Sequence, residues 1–345
     1  MNEPLDGAGP TPDATLRRTA SPTFRLLASP IGRLAVITVL IFVALALLAP
    51  SRFVSVGNLT SMAFQFPEFA LLSLAMMLAM LTGGIDLSVV GIANLSAILA
   101  GLALHAAGPE ASAGTATLAI GAAIVVSLAV GAVCGVINGL TIGRFALPPI
   151  LATLGSGLIY TGLGVAITGG SAVLGFPAAF AIIGNGSLGI VPVPLILFAV
   201  AAVGVAFLLG RTAYGIRIEL LGTNPLASRF AGIDDFMVTV KTYVLSGMLA
   251  ALAGLVVMSR ANSAKADYGS SYMLLSILIC VLGGINPNGG FGKVSGLVLA
   301  VLSLQFLSSG LNMLQVSNFA REFIWGGLLL IVMVVNTFEL VRHRR

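Results

Sequence analysis

Leu34–Ala49, LAVITVLIFVALALLA, is sixteen residues without a charge. Ile324–Phe338, IWGGLLLIVMVVNTF, repeats the pattern near the other end of the chain. Both approach the roughly 20 apolar residues that a helix needs to cross a bilayer. A soluble domain is about one-quarter charged, whereas this chain is 8% charged and 58% hydrophobic, with a mean hydropathy of +1.07. The expected fold class is all-α: a polytopic integral membrane protein.

Working outward from these two runs, the interruptions mark ten spans: 32–50, 62–82, 88–106, 118–138, 148–168, 193–210, 241–259, 271–285, 294–314 and 322–340. An N-terminus placed inside puts 13 of the 17 basic residues in inner segments. The outer segments then hold only Arg52, Arg260, Lys265 and Arg321. The excess of positive charge inside orients the chain with both termini cytoplasmic, and one span more or fewer would scramble it. The pI of about 9.6 is thereby a matter of membrane orientation, and no nucleic-acid surface is expected. Residues 1–31, polar and Pro-rich, read as a disordered cytoplasmic tail, 32–340 as one transmembrane domain, and 341–345 as a basic tail. No secretory signal peptide is expected, since the first apolar run is long enough to span.

The longest charge-bearing interruption is the inner loop 211–241, which holds ELLGTNPLASRFAGI at 219–233. Gly222 is expected to break what precedes it, and Thr223 or Asn224 to cap a new helix. Pro225 would occupy the first turn, where a missing N–H costs nothing. Leu226, Phe230 and Ile233 then fall at i, i+4 and i+7 and share one face, with Ser228 and Arg229 off it. A capped amphipathic helix in such a loop, Gly232 included, fits a knob offered to a soluble partner.

Two other inner loops begin alike, GGIDLS from Gly83 and GGINPNGGFGK from Gly283. Gly83-Gly84 and Gly283-Gly284 permit backbone that ends one helix before the next begins. Asp86 is the acidic residue nearest membrane depth, where a carboxylate is a candidate gate or ion site. Its simpler role is a cap, by Asp86 or Ser88, on the span that follows. Glu68 is expected to snorkel toward the outer interface. The outer loop 169–192, too apolar for a free linker, is expected to be a re-entrant or surface-lying segment covering a cavity. Gly131, Gly135 and Gly139 read as a line of close helix approach. Glu339 and Arg342 read as an i,i+3 pair.

No catalytic, cofactor or metal site is expected. Cys134 and Cys280 lie in apolar spans and read as buried, reduced thiols. His105 and His343 stand alone, which argues against a metal centre and removes the base that a serine protease would need at Gly169–Ala172. A GxxxxGK[ST] loop is absent: Gly292-Lys293 has Pro287 where the first glycine belongs. If transport is ATP-driven, the ATPase is a separate chain, and the chain itself is no enzyme. An ion-coupled secondary transporter is the other class considered, and only Asp86 would serve it.

GGIDLSVVG at 83–91, LGTNPLASRFAGI at 221–233 and VLGGINPNGGFGKVSG at 281–296 together resemble the signature stretches of membrane permeases of sugar ABC importers, the ribose, xylose, arabinose and galactose type, which also includes autoinducer-2 and polyol systems. The resemblance covers about residues 32–340. It implies a bacterial inner-membrane permease that pairs with a second permease subunit, with cytoplasmic ATP-binding subunits and with a periplasmic sugar-binding protein. It also implies that Gly222–Ile233 is the coupling segment, and that Gly83, Gly84, Asp86, Ser88, Gly283, Gly284 and Asn286 sit at motif or gate positions. Val90-Gly91-Ile92 and Ile285-Asn286-Pro287 depart from the usual pattern, which leaves the sugar open. A single Trp and five Tyr suit a permease that holds sugar loosely.

Overall fold

The computed structural model describes residues 29–342; most of the two expected tails, 1–28 and 343–345, lies outside the described residues, as do the side chains of the expected Glu339–Arg342 pair. Helices dominate: α1 (Pro30–Leu48), α2 (Pro50–Phe53), α3 (Val56–Leu81), α4 (Val89–Ala107), α5 (Ala113–Gly143), α6 (Pro149–Thr168), α7 (Ile182–Asn185), α8 (Val193–Arg211), α9 (Ala213–Thr223), α10 (Pro225–Phe230), α11 (Asp235–Ala261), α12 (Tyr272–Leu282), α13 (Val294–Met313) and α14 (Asn318–Arg342). Every expected span has its helix. Eight, namely α1, α3, α4, α5, α6, α8, α11 and α13, are long and apolar enough to cross a membrane. The other two are shorter in apolar length: α12 has eleven residues, and the apolar part of α14 is Phe323–Val332.

The helix starts follow from local chemistry. Ser55, Ser112, Thr212, Asn224 and Asp234 each accept a backbone N–H three residues on, satisfying donors that the first turn leaves without a partner. Proline opens α1, α2, α6 and α10, where its fixed φ suits the first turn.

Helix α3 is the axis of the fold. Every residue from Phe66 to Leu81 is buried, including Pro67, and α11, α8, α12 and α13 pack around it. The longest crossing is α5 on α11. A Cβ at Gly131, Gly135 or Gly139 would strike the backbone at Gly247, Tyr243 or Val240, so the glycine line is a close-approach surface as expected. Cys134 and Cys280 are free and buried. Leu118, Val133, Leu158, Val203 and Phe207 on α5, α6 and α8 remain exposed, an apolar exterior suited to a membrane.

Segment 169–192 forms a cap on one end of the bundle, not a re-entrant helix. It holds a 3₁₀ turn (Ala178–Ala181), α7, and a two-stranded hairpin, β1 (Ser187–Leu188) antiparallel to β2 (Val191–Pro192). Phe176 and Phe180 meet edge to face in a buried cluster with Met258 and Ala264. Ser259 Oγ donates to the carbonyl of Phe180 (2.7 Å) and accepts from Gly184 N–H (2.8 Å). The apolar loop sequence is thus spent on packing.

Candidate functional site

The three stretches at 83–91, 221–233 and 281–296, far apart in sequence, meet at one end of the bundle. Gly290 N–H donates to Leu81 O (3.0 Å). A Cβ at Gly222 would fall on Leu81 O and Gly290 N, and one at Gly289 would lie 2.6 Å from Gly222 O and 2.9 Å from Gly83 N. Gly83 has φ +86° and Gly284 φ +79°, so each GGI triplet turns the chain through a left-handed glycine as expected. Asn286 scaffolds the third loop: its Nδ2 donates to Gly289 O (3.1 Å) and its Oδ1 accepts from Asn288 N–H (3.1 Å).

Two expectations about the middle stretch need correction. Gly222 does not break a helix, because α9 runs through it to Thr223. The break comes at Asn224 (φ −155°), where the following proline disfavours helical backbone. Gly222 is needed for close approach instead. Thr223 Oγ1 bonds back to Glu219 O (2.7 Å), which leaves Asn224 as the cap of α10. Nor does Ile233 share a face with Leu226 and Phe230. Helix α10 ends in a Schellman turn, with Gly232 at φ +75°, Gly232 N–H to Arg229 O and Ile233 N–H to Ser228 O. That turn directs Ile233 against the bundle's apolar core. Leu226 and Phe230 stand alone outside, 63% and 85% exposed. The residues expected off the face are the tether: Ser228 Oγ (3.0 Å) and Arg229 Nε (2.7 Å) both reach Asp235 at the start of α11.

Asp86 is fully buried and is not a helix cap. Its Oδ1 accepts from the N–H of Ser88 (3.0 Å) and from the Ser88 hydroxyl, an Asx-type turn before α4. Oδ2 accepts from Ser246 Oγ on α11 (3.1 Å). Ser88 Oγ in turn accepts from Asn138 Nδ2 on α5 (2.7 Å), and Asn138 Oδ1 accepts from Tyr160 on α6 (3.2 Å). One polar chain therefore joins α4, α5, α6 and α11 beside the glycine junction. Gly84 is needed for close approach, since a Cβ there would meet Pro149 Cβ at 2.7 Å and Tyr243 Oη at 2.8 Å.

Toward the other end of the bundle, α3, α11, α12, α13 and α14 surround a cavity of about 620 Å³. Glu68, expected to snorkel outward, is buried in its wall. Its Oε1 accepts from Arg260 Nη1 (2.9 Å) and its Oε2 from Tyr272 Oη (2.9 Å). Phe69 and Tyr272 meet edge to face beside the pair. Gln305, Trp325, Tyr268 and Arg321 also line the cavity, and segment 169–192 does not. The chain's only tryptophan and two of its five tyrosines are thus gathered in one place, which their number alone hid. Among the described residues, no three His, Cys, Asp or Glu side chains are grouped to hold a metal ion.

The family of branched-chain amino acid transport system permease components matches residues 58–333, from the start of α3 into α14. The chain belongs to this permease family. Curated relatives agree: the autoinducer 2 import system permease protein LsrD of Yersinia enterocolitica is 32% identical over 303 residues, covering 86% of this chain and 88% of its own. Its counterparts in Yersinia pseudotuberculosis and Yersinia pestis are 31% identical over the same share. No solved structure matches. The resemblance carried by the three glycine-rich stretches is borne out, and the protein is a multi-pass membrane permease, a transport subunit. The matched region contains both the glycine junction and the Glu68–Arg260 cavity.

Proposed function

We propose that this permease is the membrane subunit of an ATP-driven ABC importer in a bacterial inner membrane, moving a monosaccharide, a polyol or a related small hydroxylated solute inward by alternating access. It would work as a homo- or heterodimer of permease subunits, with cytoplasmic ATP-binding subunits and a periplasmic binding protein. Both termini would be cytoplasmic, and α10 would dock on the ATPase. The observation that carries this reading is the α10 knob: Leu226 and Phe230 exposed on a helix tied through Asp235 to α11. An apolar pair held out from a polar loop has the form of a contact to another chain. Support for a hydroxylated solute comes from the LsrD relatives, whose names specify autoinducer 2 import.

The test is uptake in proteoliposomes holding the permease, its ATP-binding subunit and its binding protein. Uptake is expected to require ATP hydrolysis and to survive ionophores that collapse proton and sodium gradients. Uptake driven by either gradient without ATP would instead establish an ion-coupled transporter. The all-internal partners of Asp86 argue against that class.

A further inference from the structure

The cavity at Glu68 has two features that packing alone leaves unused. Gln305 is 3% exposed and lines this space, and among the described residues no side chain or backbone group pairs with its carboxamide. The amide offers one acceptor and two donors, and since its polar atoms reach the cavity and are not sealed in the protein interior, a solute or water would pair them there. The indole N–H of half-buried Trp325, on the next helix in sequence, likewise has no hydrogen-bond partner among the described residues. Meanwhile the charges of Glu68 and Arg260 neutralise each other, with Tyr272 completing the carboxylate's shell. At about 620 Å³ the space is within the usual size of a small-molecule site, which typically pairs apolar walls with a few placed polar groups.

We infer that this cavity is a solute-binding subsite of the permease itself, selective for an uncharged polyhydroxylated molecule, with Gln305 and Trp325 as its binding groups. The inference rests on the importer reading above and adds that the permease, and not only its binding protein, recognises the solute. Hydroxyl groups both donate and accept, so they match a free carboxamide beside an indole N–H and ring face. A branched-chain amino acid fits poorly: its ammonium needs an anionic partner, and the one carboxylate lining the cavity, Glu68, is already held by Arg260 and Tyr272.

Trp325 is the only tryptophan, so its emission reports on this cavity alone. The full-length permease in lipid vesicles is titrated with D-ribose, D-xylose, D-galactose and arabitol, and separately with L-leucine and L-glutamate. At least one neutral probe is expected to change Trp325 emission saturably, with affinity at least tenfold weaker in Gln305→Met, while leucine and glutamate leave it unchanged. A second readout needs no change at Gln305: the same probe should slow maleimide modification of Ser308→Cys, on the cavity wall, several-fold. No response to any neutral probe, equal affinity in Gln305→Met, or a saturable response to leucine would overturn the subsite. The importer reading is judged separately, by ATP-dependent uptake and ATPase co-purification with the unaltered chain. If both persist while Trp325 is silent, the subsite falls alone.

Discussion

The carbonyl oxygen of Leu81, the last residue of α3, accepts the amide proton of Gly290 at 3.0 Å. That oxygen also bounds the space beside Gly222 on α9. The central helix is therefore locked at its end to helix α9 and to the 283–293 loop, both far away in sequence, and the lock is made of backbone. A side chain cannot be accommodated by a rotamer change there, because the obstructing atoms are main chain.

Gly222→Ala is accordingly expected to destabilise the protein more than an ordinary helical Gly→Ala change, which would be neutral or favourable. Forced overpacking of this kind typically costs about 1–3 kcal/mol. Thermal unfolding of the purified variant should show the loss. An unchanged melting temperature would mean that the junction is looser than its geometry.

Asp86→Asn should keep most of the stability, since an amide oxygen still accepts from Ser88 and its NH₂ can donate to Ser246. Asp86→Ala leaves the Ser88 N–H, the Ser88 hydroxyl and Ser246 to lose a partner in a fully buried place. The cost is about 1–3 kcal/mol for each group left unpaired, well above the roughly 0.5–2 kcal/mol lost with a surface cap. Equal melting temperatures for the Asn and Ala variants would refute the network account.

Glu68→Ala strands Arg260 in the cavity wall and should cost about 2–3 kcal/mol, less than the 3–5 kcal/mol of a fully buried pair because the cavity admits solvent. Adding Arg260→Ala should recover part of the loss, so the double variant should melt above the sum of the single effects. Strict additivity would show that the 2.9 Å pair contributes nothing to stability.

Orientation is checked by thiol labelling in intact cells. Both native cysteines are buried, so the background is low. Lys265→Cys, beside Asp267 in the 262–271 loop, should react with an impermeant maleimide, whereas exposed Arg217→Cys on α9 should react only after lysis. The reverse pattern would invert the topology.

The helices at the ten expected places, eight of them long and apolar enough to cross a membrane, were legible because membrane-depth hydrophobicity is a local property of the chain. Helix α9 was not. Its Arg217 and Glu219 interrupt the apolar pattern, and a short half-polar helix looks like a loop. Gly222 was noticed for the wrong reason, since a glycine that ends a helix and one that admits a neighbouring backbone are the same letter. Glu68 and Arg260 are 192 positions apart, and no spacing rule connects them. Nor does counting one tryptophan reveal that it lines one cavity with Gln305. Those features are set by which helices become neighbours. The capping of α10 needed only three adjacent residues, and of the two candidates named, Asn224 took the role.

The most direct test of coupling is at Phe230. A six-residue helix is far below the roughly 12 residues at which isolated helices become even marginal in water. It persists here because Asn224 closes its start, Gly232 closes its end, and Ser228 and Arg229 hold it to Asp235. None of those fastenings involves Leu226 or Phe230, so their apolar surface is free and its geometry is fixed in advance, which lowers the entropy lost on docking. Phe230→Asp should therefore leave insertion and melting unchanged while abolishing co-purification of the ATP-binding subunit. Phe230→Ala, with a hot-spot loss of about 2 kcal/mol, should weaken that association about 30-fold. Arg229→Ala should have a smaller effect, because Arg229 acts on the tether and not on the contact. A knob that merely rests on lipid headgroups would give another pattern: Phe230→Asp would lower affinity for vesicles and leave the ATPase bound. Retained ATPase co-purification together with retained uptake in Phe230→Asp would remove α10 from the coupling interface.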